Sequence, residues 1–169
     1  NHALLYTIPT FQNPTGIVMP TPRREKLLKY CNEMHIPIIE DDVFRDLWLD
    51  SPPPPPIKSL DGHGNVVYIS SLSKCFAPGL RLGWLVGPEA VVQRLADVKM
   101  QMDYGVSVLT QQVAEELLRT GLYEKGVQNI RSQLTERRDF MIRLLERYFS
   151  EFAEWSVPSG SFFVWVRLK

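Results

Sequence analysis

Four short apolar runs constrain this chain more than anything else in it: residues 3–8, 37–40, 66–70 and 82–86, each bounded by turn-forming or charged residues. A helix pattern over residues 21–34 separates the first two. It opens on Thr21-Pro22, a hydroxyl N-cap followed by proline at the first helical position. Leu27, Leu28 and Cys31 then recur at core spacing. Strand, helix and strand at these distances predict an α/β fold with a mostly parallel sheet. Ligands of such sheets gather at the C-terminal ends of the strands. The segments that follow the runs, Asn13-Pro14-Thr15-Gly16, Asp41-Asp42 and Ser73-Lys74, therefore can face one crevice.

Beyond Glu89 the pattern turns helical. Val91, Leu95, Val98 and Met102 share one face, and a second helix is expected over residues 109–119. A third starts at Gly121 and runs to about Phe149, with Ile130, Leu134, Met141, Leu145 and Tyr148 inward. Trp155, and then Phe163 and Trp165, mark two short strands. The composition shift at residues 121–126 suggests the start of a smaller domain. Pro52 to Pro56 read as a stiff, extended surface stretch rather than a ligand for another domain, because core elements flank them.

Lys plus Arg equals Asp plus Glu at 19 each, which gives no electrostatic reason to expect nucleic-acid binding by this segment. No apolar run approaches the ~20 residues that span a bilayer, and no signal peptide opens the chain, so no membrane association and a cytoplasmic location are expected. Cys31 and Cys75 form no CxxC pair, and with three histidines beside them no metal site is expected. The chain begins with Asn1 and ends in a strand-like run, and both ends look cut from something longer.

The chemistry concentrates in Ser71-Leu72-Ser73-Lys74-Cys75-Phe76-Ala77-Pro78-Gly79-Leu80-Arg81. A lysine amine forms a Schiff base with an aldehyde. A low-dielectric setting after a buried strand would make that amine a better nucleophile. Ser71, Ser73 and Arg81 can hold a phosphate. Aldehyde and phosphate on one small molecule describe pyridoxal 5'-phosphate. Glu40, Asp41 and Asp42 close the second run, and three acids in a row call for a positive partner. A protonated pyridine nitrogen is such a partner and needs a carboxylate to act as an electron sink. The Asp-x-x-aromatic spacing from Asp41 to Phe44 favours Asp41, with Asp42 as the fallback. Each piece also has a bland reading: an exposed lysine, serines that cap backbone, an arginine in an ion pair, and an Asn-Pro turn.

In that order the motifs resemble the class I/II aminotransferases of PLP fold type I. The resemblance covers essentially the whole chain, and Gly160-Ser161-Phe162-Phe163-Val164-Trp165 looks like their small-domain strand. It implies residues 1–122 as the later part of the cofactor-binding large domain and 123–169 as the start of the small one. It implies Lys74 as the aldimine lysine and proton shuttle, and Asp41 at the pyridine nitrogen. Asn13 falls at the ring hydroxyl, and Ser71, Ser73 and Arg81 at the phosphate. The stretches 40–48 and 99–105, with the proline run, are similar to MocR-type regulators of the GntR superfamily, in which such a domain follows a winged helix-turn-helix.

The resemblance therefore implies amino-group transfer between an amino acid and a 2-oxo acid, in a homodimer that reaches DNA only through an N-terminal domain. Two other readings stand beside it: a non-catalytic sensor of an amino acid or amine, and a free-standing aminotransferase. A third, bland reading makes Lys74 structural. Where the family usually carries a tyrosine that bonds the ring hydroxyl, this chain has Phe44. The family's glycine-rich phosphate loop, its ring-stacking aromatic and its late carboxylate-gripping arginine have no counterpart here. Arg167 precedes the place of that arginine and is not nominated. By itself the segment is expected to bind the cofactor poorly and to lack transaminase activity.

Overall fold

The computed structural model describes residues 3–169. Four strands, β1 (Leu5–Thr7), β2 (Ile38–Asp41), β3 (Val66–Ser71) and β4 (Gly83–Val86), form one sheet in the order β1-β2-β3-β4. The β1–β2 and β2–β3 pairings are parallel and β3–β4 is antiparallel, so the sheet is mixed with a parallel majority. The strand expected over residues 3–8 is shorter, because Pro9 and the loop after it leave the ladder.

Helix α1 (Thr21–Glu33) makes the crossover from β1 to β2. Its N-cap is Pro20 rather than Thr21, and no side chain bonds the cap; Thr21-Pro22 is the first turn itself. Leu28 and Cys31 pack with Ile38, Ile57 and Val66 into one core. A buried side chain of that size contributes roughly 1.5–3 kcal/mol.

A single turn, α2 (Leu72–Cys75), follows β3. Beyond β4 come α3 (Glu89–Met102), α4 (Val108–Arg119) and the 28-residue α5 (Leu122–Phe149). Strands β5 (Ala153–Trp155) and β6 (Val166–Leu168) pair antiparallel. The second of these starts after Phe163 and Trp165, not at them. The inward face of α5 is Val127, Ile142 and Leu145, while Met141 and Tyr148, expected inside, are exposed. The shared apolar face of α3 lies open, with Leu95 and Met102 at 41% and 80% exposure. A second core joins Phe11, Phe44, Leu47 and Cys75 to Tyr123, Ile130, Leu134 and Phe163, so α5 closes over the C-terminal ends of the strands.

The proline run behaves as a rigid loop. The carbonyls of Pro54 and Pro55 accept hydrogen bonds from Arg45 and Arg24. No helix among the described residues is long and apolar enough to cross a membrane. Both cysteines are free and buried.

Candidate functional site

Strand periodicity sorts the three acids at the end of β2. Glu40 points to the α1 face and is fully buried. It lies 3.8 Å from the equally buried Arg24 and accepts from the backbone N–H groups of Ile57 and Lys58, each at 2.7 Å. Burial still raises its pKa, against those bonds. Asp42 is also fully buried and pairs with Arg45 at 3.0 Å. Its pKa rises for the same reason, with Arg45 opposing. Asp41 faces the other side of the sheet, half-buried, and no cation contacts it among the described residues. Its oxygens accept from neutral donors only, the Tyr6 hydroxyl at 2.5 Å and the Val43 N–H at 3.2 Å. Arginines thus pair with two of the three acids, and among the described residues Asp41 is the one left without a cation. Asp42, the fallback, is already committed to Arg45.

Lys74 lies on α2, one strand over. The Ser71 hydroxyl caps this turn, accepting from the Ser73 N–H at 3.0 Å and donating to the Leu82 carbonyl at 3.0 Å. Ser71 is therefore engaged with backbone, and its proton is already placed. The turn buries Leu72 and Cys75 and projects Lys74 outward, so the amine is exposed rather than in the low-dielectric setting expected from its neighbours. Arg81 closes the next turn in the left-handed region at φ +51. That conformation costs a non-glycine residue roughly 1–3 kcal/mol. It brings the guanidinium back to the Ser73 hydroxyl and the Pro78 carbonyl, each at 3.3 Å. Ser71, Ser73 and Arg81 are linked by these bonds, and Lys74 lies on the same turn.

Asn13 sits in the loop between β1 and α1, and its side chain is exposed. The loop folds on Gln12, whose Oε1 accepts from the Thr15 N–H at 3.1 Å and the Thr15 hydroxyl at 2.5 Å. Gly16 closes it at φ +71. Arg24 fastens both ends, donating to Met19 O at 2.7 Å, to Pro9 O at 3.0 Å and to the Thr10 hydroxyl at 3.1 Å. Sequence reasoning passed over Arg24. The signal was its place four residues before Leu28 and seven before Cys31, on the buried face of α1.

Phe44 is buried, with the Phe162 and Phe163 rings edge-on at 5.5 and 5.3 Å. An apolar ring thus stands where the family's phenol is usual. A further node was missed. Tyr123, in the first turn of α5, donates to Asp46 Oδ2 at 2.5 Å and meets Cys75 Sγ at 3.2 Å. Arg131 donates to Asp46 O at 2.6 Å and stacks on Trp48 at 3.9 Å. The residue after Lys74 and the segment after Asp42 are thus both tied to α5. Tyr123→Phe keeps the ring but strands the Asp46 carboxylate and the Cys75 thiol. It is expected to destabilise the protein by about 1–3 kcal/mol, read as a lower urea midpoint at unchanged slope.

With this geometry in view, the sequence profile of a family described as Aminotransferase class I and II matches residues 5–169. The chain belongs to the class I and II aminotransferase family. It is 51% identical over 166 residues to an uncharacterised HTH-type transcriptional regulator, YdfD, of Bacillus subtilis strain 168, covering 98% of this chain and 34% of that one. To the HTH-type transcriptional regulator NorG of Staphylococcus aureus strain USA300 it is 44% identical, covering 98% of this chain and 37% of the other. The chain therefore spans about a third of the length of these curated relatives. Among solved structures, the kynurenine aminotransferase of Pyrococcus horikoshii, in complex with PMP, superposes with a TM-score of 0.93 at 37% identity, over 97% of this chain and 41% of that one. LysN, the α-aminoadipate aminotransferase of Thermus thermophilus, superposes with a TM-score of 0.91 at 33% identity, over 98% and 43%. The α/β fold expected from the sequence, part of a PLP fold type I aminotransferase, is the one found, and so is the likeness to regulators with a helix-turn-helix.

Proposed function

We propose that this chain is the pyridoxal-phosphate-binding, aminotransferase-like part of a MocR/GntR-type transcriptional regulator, and that the complete protein transfers an amino group between an amino acid and a 2-oxo acid. The observation that carries the reading is Asp41: of three consecutive acids it alone lacks a cation among the described residues, on the strand next to the one that leads into Ser71, Ser73, Lys74 and Arg81. The residues fit the cofactor. Asp41 offers a charge to the ring nitrogen, and Asn13 an uncommitted side-chain amide for the ring hydroxyl. Arg81 and Ser73 offer donors to a phosphate, with Ser71 shaping the turn and able to join them by turning its hydroxyl from Leu82. When bound, the cofactor supplies an electron sink for the α-carbon of the amino acid. Lys74 Nζ would hold the cofactor through its aldehyde, would be freed when an incoming amine takes its place, and would move a proton at the α-carbon. Asp41 would keep the ring nitrogen protonated.

Residues 1–122 then belong to the large domain and 123–169 to the small one. The reading extends to a homodimer, as the aminotransferase likeness implies, to DNA contact through a separate N-terminal domain, which the HTH-type regulator relatives support, and to a cytoplasmic location. Those relatives also favour a second reading, a sensor that uses the same exchange at Lys74 to detect an amino acid or amine.

Spectroscopy of the complete protein tests this. Cofactor addition is expected to give a visible absorbance band, and borohydride to fix the cofactor on the Lys74 peptide by mass spectrometry. Lys74→Ala should lose both. An unchanged band in that variant would make Lys74 structural and sink the proposal. Conversion of an amino acid to its 2-oxo acid marks the enzyme, and ligand-dependent DNA affinity without turnover marks the sensor.

A further inference from the structure

We propose that Tyr6 is a positioning residue for Asp41, fixing the carboxylate toward the cofactor's ring nitrogen without neutralising it. The proposal rests on the reading of Asp41 given above. Tyr6 pairs in register with Ile39, two residues before Asp41, so all three side chains share one face of the parallel ladder. From there the phenol donates to Oδ2 at 2.5 Å, while the Val43 N–H holds Oδ1 at 3.2 Å. Each carboxylate oxygen thus has one donor, which stops rotation about the Cβ–Cγ bond and leaves a lone pair free on each.

The character of the donors matters as much as their number. Glu40 and Asp42 carry arginines, whose charges would compete with a pyridinium. Tyr6 and the Val43 amide are neutral, so the charge of Asp41 stays available. Burial, and then the bond to Asp41, push the Tyr6 pKa up to about 12, so the hydroxyl keeps its proton and serves as donor at neutral pH. With Phe44 in the aromatic cluster, no hydroxyl comes from the segment after Asp41. On the Asp41 face of the sheet a phenol comes instead from β1, seven residues before Asn13, and acts on the carboxylate.

A double-mutant cycle on the complete protein decides the matter, read as the dissociation constant for pyridoxal 5'-phosphate at fixed pH. Tyr6→Phe should weaken binding about tenfold when Asp41 is present, the low end of what a hydrogen bond to a charged group is worth. In an Asp41→Ala background the same change should alter binding less than about twofold. The melting temperature of the cofactor-free protein should not fall with Tyr6→Phe. Equal weakening in both backgrounds, no weakening at all, or a lower cofactor-free Tm would overturn the proposal. Failure of the unaltered protein to bind the cofactor would remove the functional reading first. Binding that is lost in Lys74→Ala but indifferent to Tyr6→Phe would overturn this inference alone.

Discussion

Replacing Arg24 with alanine is expected to destabilise the protein by about 3–5 kcal/mol, because it leaves Glu40 as an unpaired buried charge. Both side chains are fully buried. Burial lowers the Arg24 pKa and raises that of Glu40, so each charge is held at a cost the other partly offsets. Arg24 also donates to the carbonyls of Pro9, Met19 and Pro55, all of which lose a partner in the variant. The pH dependence has a definite sign. A carboxyl whose folded pKa lies above its unfolded value contributes stability below the unfolded value and loses it as pH rises through the folded one. Removing the arginine raises the folded pKa of Glu40 further. The deficit, measured as the difference in urea unfolding free energy between the two proteins, should therefore grow from pH 5 to pH 8. A deficit that is flat, or that shrinks with pH, would show that Glu40 does not depend on Arg24.

Gly160→Ala is the second large effect. A Cβ at this position would lie 2.2, 2.3 and 2.6 Å from three ring atoms of Phe11. Phe11 is 1% exposed and cannot move aside into solvent. The Gly160 backbone is held as well, by its bridge to Trp48 and by the Ser161 N–H on Leu47 O at 2.7 Å. Overpacking of this kind costs about 1–3 kcal/mol, and more where backbone must shift. Phe11 lies two residues before Asn13, so the strain falls on the loop that carries the ring-hydroxyl candidate. Phe11→Leu vacates part of the space and should recover some of the loss. If the double variant is no more stable than Gly160→Ala, the clash is not with Phe11.

The legible part of this chain was the part written in local pattern. Apolar runs of strand length, a helix between them and polar residues after them gave the parallel β1–β2–β3 core, and with it the common edge for Asn13, Asp41 and Lys74. The Ser71–Arg81 cluster was legible because its members lie within 11 residues. What escaped depended on partners distant in sequence. Spacing favoured Asp41 over Asp42, but it did not say that Arg24 and Arg45 claim Glu40 and Asp42. Arg24 was passed over although it shares the face of Leu28 and Cys31, because an arginine there is tolerated only through Glu40 and the carbonyls of a distant loop. Tyr6 looked like one more apolar residue in a strand, yet its hydroxyl reaches a carboxylate 35 positions away. Periodicity misplaced the inward face of α5 near Met141 because a 28-residue helix changes neighbours along its length.

That helix has one more consequence. At 1.5 Å per residue α5 is about 42 Å long. Its first third is clamped by Tyr123 and Arg131, and by Gly126, where a Cβ would lie 2.4 Å from the Phe76 ring. Its far end leads directly into β5. The helix is also held further along, where Arg138 bonds Asp50 and the Pro158 carbonyl. One rod therefore supports the turn that follows Lys74, the segment that follows Asp42 and the loop that leads to Phe162, so these three stretches share a single backing.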